Sequence, residues 1–207
     1  AAAAAAAAAQ AGTGAASAWG TSTATATAPT SFASALQSVM SPTSPLTAGG
    51  LQAAGAVAPP SSGAAQAIVQ IASSQVGQTE QPPGSNDGPA IAQYRTATQG
   101  AAAGEPWCAY FASWVARQAG EPIGSQGQGL GYVGDIWSWA EQTGRAIPNG
   151  SGVTPTPGDL IVFGDHHVGI VKQVLPNGSI ETIEGNYDNQ VSQVVRGAGE
   201  ATGYVRM

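Results

Sequence analysis

No Asp, Glu, Lys, Arg or His occurs in this 207-residue chain before Glu80. Residues 1–63 hold 23 Ala together with much Thr, Ser, Gly and Pro. Such a stretch buries little beyond methyl groups and does not offset the entropy of ordering its backbone. The sequence therefore divides into a low-complexity tail and linker, 1–63, and one domain, 64–207, which carries every charge and four of the five Trp. A domain of that length is expected to bury roughly 70% of its unfolded surface. Six basic residues scattered through a chain of net charge -6 argue against nucleic acid as a partner, which needs Lys and Arg gathered on one face. No strongly apolar run of membrane-spanning length is present, and no signal peptide with a basic start and apolar centre is visible. In the tail, Phe32, Leu36 and Val39 fall at helical spacing ahead of SPTSP. They are read as a transient helix or a docking face for a protein partner. Ala1 to Ala9 is assigned no role.

The domain opens with AAQAIVQIASSQVG, in which Ile68, Ile71, Ala72 and Val76 form a helical stripe that Gly77 ends. A turn-rich loop, EQPPGSNDGP, and a short helix, PAIAQYRTAT, follow. EPWCAYFASWVARQAG predicts a helix with Pro106 at its first position, one face of Trp107, Phe111, Trp114 and Val115, and a stop at Gly120. GDIWSWAEQTG predicts another. Beyond Pro157 the pattern turns to strands: DLIVFG, HVGIVKQV, a PNG turn, SIETIEGN, QVVRG and TGYVRM. Helices first and strands second predict an α+β domain built on an antiparallel sheet.

One cysteine, Cys108, excludes an internal disulfide and a thiolate metal site, so it serves packing or chemistry. In the first turn of its helix, free backbone N–H groups and the helix dipole favour a thiolate, the form that attacks carbonyl carbon. A cysteine nucleophile needs a base, and the base needs a polar group to orient it. His166 and His167 are the only histidines. Alternation places His167 on one strand face with Gly169, whose small size leaves room for a substrate, while His166 precedes the strand and reads as solvated. In SIETIEGN, Thr182 and Glu184 share a face, and Glu184 and Asn186 flank a glycine. Pairing through the PNG turn would bring Glu184 beside His167.

Taken together, EPWCAYFASWVA, PGDLIVFGDHHVGIV, IETIEGN and the closing GYVRM resemble the CHAP domain, a papain-like family of cysteine- and histidine-dependent amidohydrolases and peptidases that cut peptidoglycan. The likeness runs from about Ala64 to Met207 and excludes the tail. It implies an extracellular or cell-wall enzyme with Cys108 as nucleophile, His167 as base, and Glu184 and Asn186 as the residues that orient the base, Glu184 being favoured. The substrate implied is the peptide of peptidoglycan, cut by an amidase or an endopeptidase; no residue separates the two. Some members hold calcium in an acidic loop before the cysteine. Here QGAAAGEPW offers only Glu105, so no metal or other cofactor is expected. The Cys108 N–H is an expected oxyanion donor, and a second donor is not identified. Two rival readings are an NlpC-type peptidase with His166 as third residue, and a non-catalytic docking component of an envelope, flagellar or phage assembly.

Overall fold

The structure, a computed structural model, describes residues 62–207. Four helices come first: α1 (Ser62–Ser74), α2 (Pro89–Arg95), α3 (Cys108–Gln118) and α4 (Val133–Gln142). Six strands follow: β1 (Ala146–Pro148), β2 (Leu160–Phe163), β3 (His167–Val174), β4 (Ile180–Tyr187), β5 (Gln190–Arg196) and β6 (Gly203–Val205). They form one antiparallel sheet in the order β1-β6-β2-β3-β4-β5. The fold is α+β, as expected from the order of the two patterns. Among the described residues, no helix is long and apolar enough to cross a membrane. The division at residue 63 and the Phe32, Leu36 and Val39 face involve residues 1–61, outside the described residues.

Alternation along the strands separates two apolar clusters. Leu160, Val162, Val168, Ile170, Ile183 and Val205 join the cluster that contains the buried helix residues. Ile161, Phe163, Val171, Ile180 and Tyr204 form a second, smaller cluster. The strands carry both sets because successive side chains take opposite faces of the sheet.

Helix α3 packs against α1, α2, β3 and β4. Every residue from Cys108 to Ala116 is buried, so the helix is central to the core rather than apolar on one stripe. Small residues at Ala109, Ala112, Ser113 and Ala116 allow close approach on several sides, and Ser113 is satisfied by the Leu130 backbone in both directions. The helix starts two residues later than expected from Pro106. Trp107 is its N-cap, with φ -118 and ψ 13, and Cys108 is the first helical residue. The Trp107 ring explains the shift: its N–H donates to the buried Glu80 carboxylate at 2.9 Å, and the ring stacks on Tyr94. In α1, Ile68 and Ala72 are buried as expected, but the helix ends at Ser74 and Val76 is exposed.

Candidate active site

Cys108 begins α3 and no side chain caps the helix, so its backbone N–H is one of the unpaired donors of the first turn. Its Sγ lies 4.0 Å from the His166 carbonyl oxygen, next to His167, whose ring pKa it helps to raise. His167 is the first residue of β3. Its Nε2 is 2.7 Å from Oε2 of Glu184, so Nδ1 is the ring nitrogen turned away from the carboxylate.

Glu184 is fully buried, yet all its lone pairs face donors. Thr182 Oγ1 donates to Oε1 at 2.6 Å, Arg196 Nε donates to Oε1 at 2.8 Å, and Arg196 Nη2 donates to Oε2 at 2.5 Å. The guanidinium is itself held between two rings, 4.9 Å from the centroids of Phe163 and Tyr187. Phe163 also stacks on the His167 ring at 5.8 Å. His167, Glu184 and Arg196 thus form one hydrogen-bonded chain, with Cys108 at its histidine end.

Charge follows from this packing. Burial works against a charge on His167, but hydrogen bonds and charge from Cys108 and Glu184 outweigh it and raise the ring from 6.5 to about 9. Burial likewise opposes the Glu184 charge. Hydrogen bonds from Arg196, His167 and Thr182 overcome it and hold the carboxyl at about 2, below its ordinary 4.5.

Two glycines fit this arrangement closely. A Cβ on Gly169 would lie 2.7 Å from Cγ of Glu184, so the space beside His167 is taken by the carboxylate side chain rather than left for a substrate. A Cβ on Gly185 would lie 2.6 Å from Cβ of Phe111, and its absence lets α3 settle on β4.

Of the sequence-expected residues, Cys108, His167 and Glu184 are brought together. Asn186 lies two residues on at a register shift between β4 and β5, with φ 58 in the left-handed region that Asn tolerates. It lines a cleft of about 470 Å³ with His167, Tyr187, Asp188, Arg196 and Glu200. A second cleft, about 630 Å³, is lined by Glu105, Pro106, Tyr110, Tyr132 and Asp135 among others. His166 is exposed in the turn before β3. Arg196 and Glu80 were not expected from the sequence. Among the described residues, no group of three or more His, Cys, Asp or Glu is placed to hold a metal ion.

Residues 100–186 match the family model of the CHAP domain. Among solved structures the chain is similar to the peptidoglycan hydrolase RipB from Mycobacterium tuberculosis, with 24% identity and a TM-score of 0.43. That similarity covers 69% of this chain and 64% of the other, less than two thirds of its length. A search of curated proteins finds no match.

Proposed function

We propose that this chain, with its CHAP domain at residues 100–186, is a cysteine-dependent hydrolase that cuts an amide bond in the peptide part of peptidoglycan. The observation that carries the reading is Cys108 at the start of a buried helix, its Sγ 4.0 Å from the His166 carbonyl, with the adjacent His167 bound through Nε2 to Glu184 at 2.7 Å. In the proposed reaction, Cys108 Sγ, as thiolate, attacks the amide carbonyl carbon. The developing oxyanion accepts the Cys108 N–H, where the uncapped helix start favours negative charge. His167, as imidazolium, gives its proton to the leaving nitrogen, so the C–N bond breaks and a thioester remains. Water then attacks the thioester carbon, His167 takes its proton, and a carboxylate product leaves as the thiolate re-forms. Glu184 holds the ring and balances its charge throughout. Asn186, on the cleft wall beside His167, is proposed to contact the peptide.

Such an enzyme acts outside the cell or in the wall. We propose that residues 1–63, with Phe32, Leu36 and Val39, serve as a linker and docking segment for a protein partner. Digestion of purified peptidoglycan, followed by mass analysis of the fragments, tests the proposal. Fragments released by wild type and absent with Cys108→Ala support it, and their masses distinguish amidase from endopeptidase. No release by either protein, or equal release by both, ends the thiol reading. Cleavage should persist in EDTA, and loss restored by calcium would mean that a metal takes part.

A further inference from the structure

Beyond Cys108, His167 and Glu184, the polar contacts continue to a group that nothing so far assigns to the reaction. We infer that Arg196 is a positioning residue: its two-pronged contact with Glu184, fixed between the Phe163 and Tyr187 rings, keeps the buried carboxylate ionised and aimed at His167. The inference rests on the proposed hydrolase reading for its catalytic consequence, and on geometry alone for the charge state.

Three observations combine. First, Glu184 has no exposure, and an isolated carboxylate in such a place takes up a proton rather than remain charged. Second, the carboxylate needs its orientation set. Arg196 supplies one donor to each oxygen from a rigid planar fork, and Thr182 adds a second donor to Oε1. Only Oε2 then faces the ring. Third, the fork is not a mobile surface cation. Rings on β2 and β4 cover it, and its remaining Nη1 lies 3.6 Å from Glu200. The groups facing this centre are therefore Cys108 from α3, His167 and Phe163 from β3 and β2, Thr182 and Tyr187 from β4, and Glu200 from the 3-10 turn Ala198–Glu200. The fixed cation and fixed anion leave one proton for His167 to hold or give.

Carboxyl carbon NMR of the full chain across pH 2 to 8, with Glu184→Gln to assign the resonance, reads the charge state whether or not the protein cleaves peptidoglycan. Wild-type Glu184 should stay ionised down to about pH 2. In Arg196→Met its titration should rise by more than about one pH unit, the effect of losing an adjacent opposite charge. Arg196→Lys keeps charge without the fork and should give a smaller rise. A wild-type Glu184 titrating at or above 4.5, or a folded Arg196→Met with an unmoved titration, overturns the inference. If Arg196→Met does not fold, the wild-type value and the rise in Arg196→Lys decide it. With cleavage established, the acid limb of the pH–rate profile should move up in Arg196→Met and return most of the way in Arg196→Lys, with its rate still below wild type. A merely cross-strand tie would lower the rate with the folded fraction and leave both limbs in place, and that result also overturns the inference.

Discussion

The two faces of the sheet are built on opposite principles. The face in the larger cluster meets the helices with aliphatic side chains, and there shape alone is at stake: Phe111 of α3 lies where a Cβ of residue 185 would be. The other face mixes Ile161, Phe163, Val171 and Ile180 with Thr182 and Glu184, both fully buried. An apolar face tolerates repacking so long as its volume is kept, whereas a buried ion network loses most when one member is removed. The helix-side face sets where the thiol sits, and Glu184 on the polar face acts with that thiol to raise the pKa of the ring beside it.

The largest expected effect comes from breaking the polar face at its centre. Glu184→Gln keeps the shape but leaves Arg196 partly buried against a neutral amide. Removing one partner of such a pair costs about 3 kcal/mol or more, and cleavage should fall with it because the His167 ring loses the charge that balances it. Urea denaturation alongside the peptidoglycan assay checks both; wild-type stability in the variant would show the face to be held by its apolar residues alone.

The same contrast has a pH signature. Glu184 is held at about 2 against an ordinary 4.5, so its contribution is present above 4.5 and lost as pH falls toward 2. His167 is raised to about 9 against 6.5, so its contribution is complete below 6.5 and lost as pH rises through 9. Each shift corresponds to about 3 kcal/mol, led by Arg196 for Glu184 and by Cys108 for His167, and because the His167–Glu184 contact enters both the two are not summed. Stability from this network should peak between 4.5 and 6.5. Urea midpoints measured across pH should show both flanks in wild type and flattened flanks in Glu184→Gln; parallel curves would remove the pair from the stability of the fold.

On the helix-side face, Gly185→Ala should cost about 1–3 kcal/mol by overpacking against Phe111, whose Cβ is fixed to the α3 backbone. Gly169→Ala meets instead Cγ of Glu184, whose carboxylate four donors hold in place. Its loss of stability should be similar, about 1–3 kcal/mol, yet cleavage should fall further, roughly a hundredfold, as the carboxylate is displaced from the ring. If the two variants lose stability and activity in the same ratio, the division of labour between the faces is wrong.

Legibility in the sequence followed distance along the chain and the strength of local pattern. Cys108 at a helix start, His167 at a strand start and Glu184 across one short turn are each placed by local periodicity; strand pairing set Glu184 beside His167, and the CHAP resemblance joined Cys108 to them. Arg196 was missed because it ends an edge strand with alternating exposure, where a cation reads as solvated; only the lateral reach across β4 to Glu184 buries its role. Glu80 lay in a stretch rich in turn residues, and nothing local announces that its partner is a ring N–H at Trp107. Gly169 was read as space for a ligand because a sequence shows that a side chain is missing but not what fills the gap. The start of α3 was misplaced by two residues because the preference of Pro106 for a first helical position yielded to the anchoring of Trp107.

The smallest expected effect separates Glu184 from the other candidate on its strand. Asn186 sits at the register shift where β4 carries an extra residue against β5, and its φ of 58 is costly for most side chains and mild for Asn. The backbone therefore gives a sufficient reason for an Asn here, independent of the ring. Asn186→Gly should leave stability within about 0.5 kcal/mol of wild type, since glycine adopts this conformation freely, whereas Asn186→Ala should lose about 1 kcal/mol to strain. If the side chain only lines the cleft, both variants raise KM and leave kcat and the pH–rate limbs near wild type. An Asn186→Gly protein that is folded but has lost kcat, with Glu184→Gln retaining it, would transfer the orienting role from the carboxylate to the amide and reverse the assignment of the polar face.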